Sequence, residues 1–234
     1  MIPVLEAQGL RKVYTGGDGR PIEVLSGVDL SLTRGEFVAI VGASGAGKST
    51  LLQLLGALDD PTEGRVLLDG AAYADQSGER LAEIRNRQLG FVFQFHHLLR
   101  EFSALENVMM PLLIGGVADA AARSKAEELL AAVGLAGRMT HRPNALSGGE
   151  QQRVAVARAL ATDPLVVLAD EPSGNLDHHN SERLHELFAT LARKFETALV
   201  VVTHNRLLAA RADRVLAMEE GRLVAHPGLE AMPS

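Results

Sequence analysis

The sequence predicts an α/β fold built on a mostly parallel sheet with helices on both faces. Short apolar runs rich in β-branched residues, which are typical of buried parallel strands, alternate with stretches of helical spacing. Two of these runs, at residues 165–169 and 198–204, end at or directly before polar side chains, and a third, at residues 37–41, leads into a glycine-rich segment. Because ligands bind beyond the carboxyl ends of parallel strands, this edge of the sheet is the predicted site.

Composition narrows the class of protein. The chain has 234 residues, a net charge of −6 and no cysteine. Its length suits one large α/β domain or two small ones, and the lack of cysteine excludes disulfides, thiolate metal sites and a cysteine nucleophile. The acidic balance disfavours a broad basic surface for nucleic acid, so no nucleic-acid partner is predicted. The sequence shows neither a long apolar run nor a signal-peptide pattern, so we expect no membrane span and no secretion signal.

The first strand leads directly into the segment GASGAGKST. A strand, a glycine-rich turn, a lysine, a hydroxyl residue and a helix together form the P-loop pattern, in which backbone N–H groups converge on phosphate oxygens. Lys48 would neutralise phosphate charge and Ser49 would offer its hydroxyl to magnesium. The alternative is a glycine-rich turn with a chance lysine. The predicted ATP-binding residues here are Gly42, Ala43, Ser44, Gly45, Ala46, Gly47, Lys48, Ser49 and Thr50.

The second strand ends in the segment LVVLADEP. Asp170 lies at its carboxyl end and is the predicted magnesium partner. Glu171 follows it and would polarise the attacking water as a general base. The alternative is a strand that ends in two solvated acids.

The third strand ends at His204, which we expect to donate a hydrogen bond to the γ-phosphate or to hold the water. A lone histidine is more often a surface or satisfied core residue, and adjacent pairs of histidines without a third ligand nearby do not indicate a metal site. We therefore assign surface or core positions to the remaining histidines, which are His96, His97, His141, His178, His179, His185 and His226.

The segment LSGGEQQR has two glycines where a helix begins. Ser147 and Glu150 have capping-box spacing and fix the helix start. Gly148 and Gly149 cost stability in a first turn but leave its N–H groups unobstructed for an anion. The alternative is an ordinary capped helix after a loop.

Six motifs occur once each and in one order along the chain: GASGAGKS, FVFQ, LSGGEQQR, LVVLADEP, SGNLD and VVTH. This combination resembles the nucleotide-binding subunit of ABC transporters over almost the whole chain. The resemblance implies a P-loop NTPase core of ABC type, with an antiparallel β portion and a helical subdomain. It also implies an ATP-dependent head-to-tail dimer, in which the partner's ATP contacts the LSGGE residues Ser147, Gly148, Gly149 and Glu150.

The resemblance assigns three further residues. Tyr14 matches the aromatic that stacks on adenine, although a tyrosine that ends a strand also suits packing. Gln94 matches the glutamine that reaches magnesium and the water, so Ser49, Gln94 and Asp170 form the predicted metal set. Asp177 matches the loop that couples the two ATP sites. A side chain at position 149, as in Gly149→Val, should spare ATP binding by the monomer and block dimer closure.

The resemblance also divides the chain, which is predicted to be a single ABC nucleotide-binding domain over residues 1–234. Residues 1–90 and 163–234 would form the nucleotide-binding core with its β portion. Residues from about 91 to 162 would form the helical subdomain, which ends in the LSGGE helix. Within it, helices are predicted near residues 103–113 and 118–133, from apolar spacing and a glycine stop.

Residues 94–113, QFHHLLREFSALENVMMPLL, distinguish subfamilies best. They most resemble the ATPases of lipoprotein-releasing complexes of Gram-negative bacteria, which usually have proline in place of Arg100. The implied protein is peripheral at the cytoplasmic face of the inner membrane and drives two membrane subunits, contacted through this segment. The ATPases of macrolide or peptide exporters and of the cell-division ABC complex are alternatives. A soluble ABC ATPase acting on nucleic acid or ribosomes is a further alternative from a different class.

Overall fold

The protein, a computed structural model, is described over residues 3–225. Its described residues form two sheets and a group of packed helices. The strands are β1 (Leu5–Thr15), β2 (Pro21–Leu32), β3 (Phe37–Val41), β4 (Glu63–Leu68), β5 (Ala71–Ala72), β6 (Leu89–Val92), β7 (Val166–Asp170), β8 (Ala198–Val202), β9 (Arg214–Glu219) and β10 (Arg222–Ala225). The α-helices are α1 (Lys48–Leu55), α2 (Gly78–Arg87), α3 (Ala104–Ile114), α4 (Asp119–Ala132), α5 (Gly148–Ala159), α6 (His178–Phe195) and α7 (Arg206–Ala209).

The larger sheet has the strand order β10-β9-β3-β8-β7-β6, and its strands run parallel from β9 to β6. All residues of β3 and β8 are buried, because helices and the second sheet cover both faces. Val202 pairs with Ile40 on one side and with Asp170 on the other, so β3, β8 and β7 end at one edge. The predicted, mostly parallel sheet is confirmed.

The smaller sheet is antiparallel, with the order β2-β1-β4-β5. Leu5 pairs with Leu32 on β2 and with Leu68 on β4, and all three side chains are buried. Their apolar face packs with β3 and α1 in one core cluster. This sheet is the antiparallel β portion that the sequence predicted.

Helices α3, α4 and α5 pack on one another through a continuous apolar cluster that also reaches β6 and β7. The helix predicted near 103–113 begins after Ser103, whose hydroxyl and backbone form a reciprocal capping box with Glu106. The helix predicted at 118–133 runs from Asp119 to Ala132. None of the described helices has the length and apolar character that crossing a membrane requires.

Three boundaries differ from those predicted. The strand predicted at 165–169 is shifted by one residue and includes Asp170. The strand predicted at 198–204 ends at Val202, and beyond it the Thr203 hydroxyl and the His204 backbone N–H bond Glu171. Strand β6 crosses the boundary drawn after residue 90, because its pairing with β7 continues to Val92.

Candidate active site

A cavity of about 710 Å³ lies at the carboxyl edge of β3, β7 and β8. Its walls bring together most residues predicted from the three strand ends, namely Gly42, Ser44, Gly45, Gly47, Lys48, Ser49, Thr50, Asp170, Glu171 and His204, and Gln94, which the family resemblance assigned. They also include side chains that the motifs did not single out, which are Val24, Phe93, Phe95 and His97. Ala43 and Ala46 belong to the same loop without lining the cavity.

The loop between β3 and α1 depends on glycine. Gly45 and Gly47 have φ values of 80° and 102°, in the left-handed region that other residues rarely adopt. A Cβ on Gly47 would also lie 2.8 Å from the Val24 carbonyl oxygen. The loop therefore presents bare backbone, followed by the start of α1, to the cavity, as phosphate binding requires.

The Lys48 ammonium lies inside this loop. Its Nζ donates to the carbonyl oxygens of Gly42, at 2.8 Å, and Ala43, at 2.9 Å. This holds the positive charge beside the converging backbone N–H groups, where phosphate oxygens can replace the carbonyls as its partners.

Ser49 and Asp170 meet below the loop. Burial raises the pKa of Asp170 and the charge of Glu171 raises it further, whereas a hydrogen bond from Ser49 and the charge of Lys48 lower it. Ser49, Asp170 and the amide of Gln94 line the same cavity. Hydroxyl, carboxylate and amide oxygens are hard ligands, so this donor set fits magnesium.

Glu171 is held in one geometry by its neighbours. Its Oε1 accepts from the His204 backbone N–H at 3.0 Å and lies 2.9 Å from His204 Nδ1. Its Oε2 accepts from the Thr203 hydroxyl at 3.1 Å. The Glu171 backbone has φ 43°, a left-handed conformation that costs about 1–3 kcal/mol in a non-glycine residue.

His204 thus contacts the carboxylate of Glu171, a partner that the sequence did not predict. Its side chain is 74% exposed, against 17% for Glu171, and both line the cavity. The predicted contact of His204 with the γ-phosphate or the water stays a prediction.

Asn175 clamps Gln94 through two hydrogen bonds. The sequence assigned no role to Asn175, although it belongs to the SGNLD motif. Gln94 Nε2 donates to Asn175 Oδ1 at 3.2 Å, and Asn175 Nδ2 donates to the Gln94 carbonyl at 3.0 Å. The reciprocal pair fixes the glutamine at the cavity wall, close to Asp170 and Glu171.

Arg158 anchors the residues that follow Gln94. Its Nη1 donates to the His97 carbonyl at 2.8 Å, and its Nη2 donates to the His96 carbonyl at 2.9 Å. Burial lowers the pKa of Arg158. Arg158 lies beyond the LSGGEQQR motif, one helical turn after the buried Val154 and so on the same face of α5.

Two of the histidine assignments can be compared directly with the structure. His185 is a satisfied core residue, as predicted, with its ring 3.0 Å from the Ser173 hydroxyl. His97 is exposed, as predicted for a surface position, and it also lines the cavity. His226 lies outside the described residues. Among the described residues no cluster of His, Asp and Glu could hold a metal.

Tyr14 and the LSGGE residues lie outside the cavity of their own chain. The Tyr14 hydroxyl donates to Asp59 at 2.8 Å, and Lys12 Nζ lies 4.8 Å from its ring centre. Tyr14 is 36% exposed, so a ring face remains accessible and stacking on adenine stays a prediction.

The LSGGE helix begins with the predicted capping box. The Ser147 backbone N–H donates to Glu150 Oε2 at 2.8 Å, and the Glu150 N–H donates to the Ser147 hydroxyl at 3.3 Å. The two glycines differ in their surroundings: a Cβ on Gly148 would have Leu176 as its nearest neighbour at 3.9 Å, whereas one on Gly149 would lie 2.7 Å from Asn180 atoms.

Residues 25–174 match the model of the family described as ABC transporter. The chain belongs to the ABC transporter family. The ABC resemblance, the α/β fold and ATP hydrolysis coupled to transport are thereby confirmed.

Curated ABC relatives match nearly the whole chain. The lipoprotein-releasing system ATP-binding protein LolD of Bordetella pertussis is 58% identical, with 94% of this chain and 95% of that protein covered. LolD of Legionella pneumophila is 53% identical, with 95% and 97% covered. A solved structure is also similar: the dimeric, post-hydrolysis state of the ATP-binding cassette MJ0796 bound to ADP and Pi has a TM-score of 0.87 and 38% identity, over 96% of this chain and 98% of that chain.

Proposed function

We propose that this chain is the ATPase motor of a lipoprotein-releasing ABC complex, in which two copies hydrolyse MgATP at composite sites. The observation that carries the hydrolysis is the single cavity that joins the P-loop, Asp170, Glu171 and His204. The lipoprotein cargo is supported by the names of the relatives from Bordetella and Legionella. The same names favour this cargo over an exporter, a cell-division complex or a soluble ABC ATPase.

Each part of the ATPase reaction is assigned to particular residues of the chain. Backbone N–H groups of the P-loop and Lys48 bind the phosphates, and Ser49, Asp170 and Gln94 would hold magnesium. A magnesium ion held there would supply neutralisation of phosphate charge. Glu171, oriented by Thr203 and His204, accepts the proton of the attacking water. Residues 147–150 of the second copy would then close over the γ-phosphate, with the Gly148 N–H facing the anion.

The membrane subunits are proposed to dock on a groove of about 280 Å³ beside α3. Leu99, Met110 and Ile114 give it apolar walls, and Ile114 is 70% exposed. A groove of this kind suits the apolar face of a short helix from a partner. The segment 94–113 lines one side of the groove, and α2, β6 and α5 line most of the rest, so the groove supports part of that segment as the contact of a peripheral subunit with membrane proteins.

The test of the chemistry is Glu171→Gln. We expect turnover to fall by about a hundredfold or more, while ATP still binds. Glu220→Gln is the matched control, because Glu220 is also left-handed, with φ 44°, but exposed and not among the residues that line the cavity. Near-normal hydrolysis by Glu171→Gln would remove Glu171 from the role of base.

The test of the cargo is a pull-down of the tagged chain from detergent-solubilised membranes, with mass spectrometry of what is recovered. Two membrane subunits of a lipoprotein-releasing system are the expected result. Recovery of exporter or cell-division subunits would overturn the cargo and leave the catalytic roles in place. Recovery of ribosomes or nucleic acid without a membrane protein would favour the soluble class.

A further inference from the structure

Gly149 is required by a contact inside its own chain. A Cβ there would lie 2.7 Å from both Cγ and Oδ1 of Asn180 and 3.1 Å from its Cβ, closer than real side chains approach. Gly149 is buried, whereas Gly148 is exposed and a Cβ there would meet only an ordinary contact with Leu176, at 3.9 Å. The first turn of α5 therefore packs its backbone directly on the side chain of Asn180 in α6.

Asn180 also binds both carboxylate oxygens of Asp177. Its backbone N–H donates to Oδ1 at 2.9 Å, and its Nδ2 donates to Oδ2 at 2.7 Å. The Ser181 N–H donates to the Asp177 carbonyl at 2.9 Å, so Asp177 is the N-cap of α6. Two donors from one residue leave the carboxylate little freedom to rotate.

We propose that Asn180 is a positioning residue that holds the Asp177 loop and the start of α5 in a fixed position relative to each other. The two segments then contact a second copy of this chain as one rigid surface. The amide suits both neighbours, because its N–H₂ faces a carboxylate and its oxygen faces the bare backbone of Gly149. The inference rests on the proposed dimer, in which Asp177 and Gly148 both face the other copy. The ATP bound by the same chain plays no part in this inference, because Asn180 does not line the ATP cavity.

The experiment compares Asn180→Asp with Asn180→Leu, because both keep the branching of asparagine at Cγ. The aspartate replaces a donor with a carboxylate against Asp177, and the leucine only removes the donor. We expect kcat to fall by about tenfold or more in Asn180→Asp and less in Asn180→Leu. ATP affinity of the isolated chain should stay within about twofold for both.

The dependence of kcat on pH distinguishes positioning from a general loss of packing. Two facing carboxyl groups share a proton, which raises the pKa of one of them. The protonated group can donate to Asp177 as the amide did. The ratio of kcat for Asn180→Asp to that of the wild type should therefore rise as pH falls from about 7.5 to about 5.5, and the ratio for Asn180→Leu should not.

Asn144→Asp supplies the charge control, because Asn144 is exposed and its side chain makes no hydrogen bond within residues 3–225. Wild-type kcat is expected for it. The inference is overturned if Asn180→Asp turns over within about twofold of wild type at neutral pH, or if both Asn180 variants recover equally at low pH. Full activity of Glu171→Gln would instead refute the proposed hydrolysis, whatever Asn180 does.

Discussion

At the scale of single residues, the two glycines of LSGGE have different functions. The expectation that Gly149→Val spares ATP binding by the monomer stays a prediction, but Asn180 occupies the space of the new side chain, so the variant also strains the fold. The LSGGE pattern alone predicts the same role for Gly148 and Gly149, because the side chain that would obstruct position 149 belongs to a residue 31 positions further along the chain. The packing of α5 on α6 shows the difference: Gly149 is needed for folding, whereas Gly148 leaves its backbone exposed.

We predict that Gly149→Ala lowers the free energy of unfolding of the monomer by about 1–3 kcal/mol, the usual cost of overpacking. Gly148→Ala should change it much less, because its Cβ meets only an ordinary contact with Leu176. Denaturant unfolding measures both. The double variant Gly149→Ala, Asn180→Ala should recover part of the loss, and equal stabilities of the two alanine variants would contradict the packing argument.

His185 predicts a pH dependence of stability. The pKa of His185 is lowered from 6.5 to about 4, mainly by burial, with the charge of Arg211 also lowering it and that of Glu182 raising it. Between these values the unfolded chain binds a proton that the folded chain does not. Stability should therefore fall as pH drops from 6.5 towards 4, by at most about 1.4 kcal/mol per pH unit from this residue.

The comparison of wild type with His185→Gln isolates this slope. Denaturant unfolding at a series of pH values should give a shallower acid loss for the variant, even if its stability is lower throughout. His178→Gln is the control, because the His178 side chain is 77% exposed. An unchanged slope in His185→Gln would show that His185 is not the titrating group.

At the scale of elements, the fork of Arg158 ties α5 to the segment after β6. Arg158→Lys keeps the charge but cannot span the carbonyls of His96 and His97 with one planar group. We expect a loss of about 1–3 kcal/mol in stability and faster hydrogen exchange at residues 94–99. Arg153→Lys on the same helix is the control, since Arg153 makes no hydrogen bond or ion pair within residues 3–225. Equal exchange in the two variants would contradict the anchoring role.

Elements with strong local patterns were predictable from sequence, and those defined by distant partners were not. The P-loop, the capping box of Ser147 and helices α3 and α4 follow from short spacings that fix backbone geometry. Helices α2 and α6 were not predicted. The clamp of Asn175 on Gln94 joins residues 81 positions apart, and the contacts of Glu171 with Thr203 and His204 depend on the order of strands β7 and β8. No local pattern encodes such contacts.

At the scale of the whole molecule, the prediction concerns assembly. With ATP and magnesium, Glu171→Gln should sediment as a dimer, because it binds ATP without consuming the ligand that joins the copies. Lys48→Ala should remain monomeric, since its loop loses the cation that binds the phosphates. Sedimentation velocity with and without ATP measures both. A monomeric Glu171→Gln at saturating ATP would contradict the composite site.

Helix α5 spans the distance between the two surfaces on which this ATPase is proposed to act. Its 12 residues extend about 18 Å, with Gly148 and Gly149 at one end. At the other end Arg158 donates to the carbonyl oxygens of His96 and His97, beside the groove on which the membrane subunits are proposed to dock. A tilt of about 10° around the first turn would move the far end by about 3 Å. In the proposed assembly the helix would act as a lever arm, so that a small closure at a phosphate would become a displacement that a membrane protein could follow.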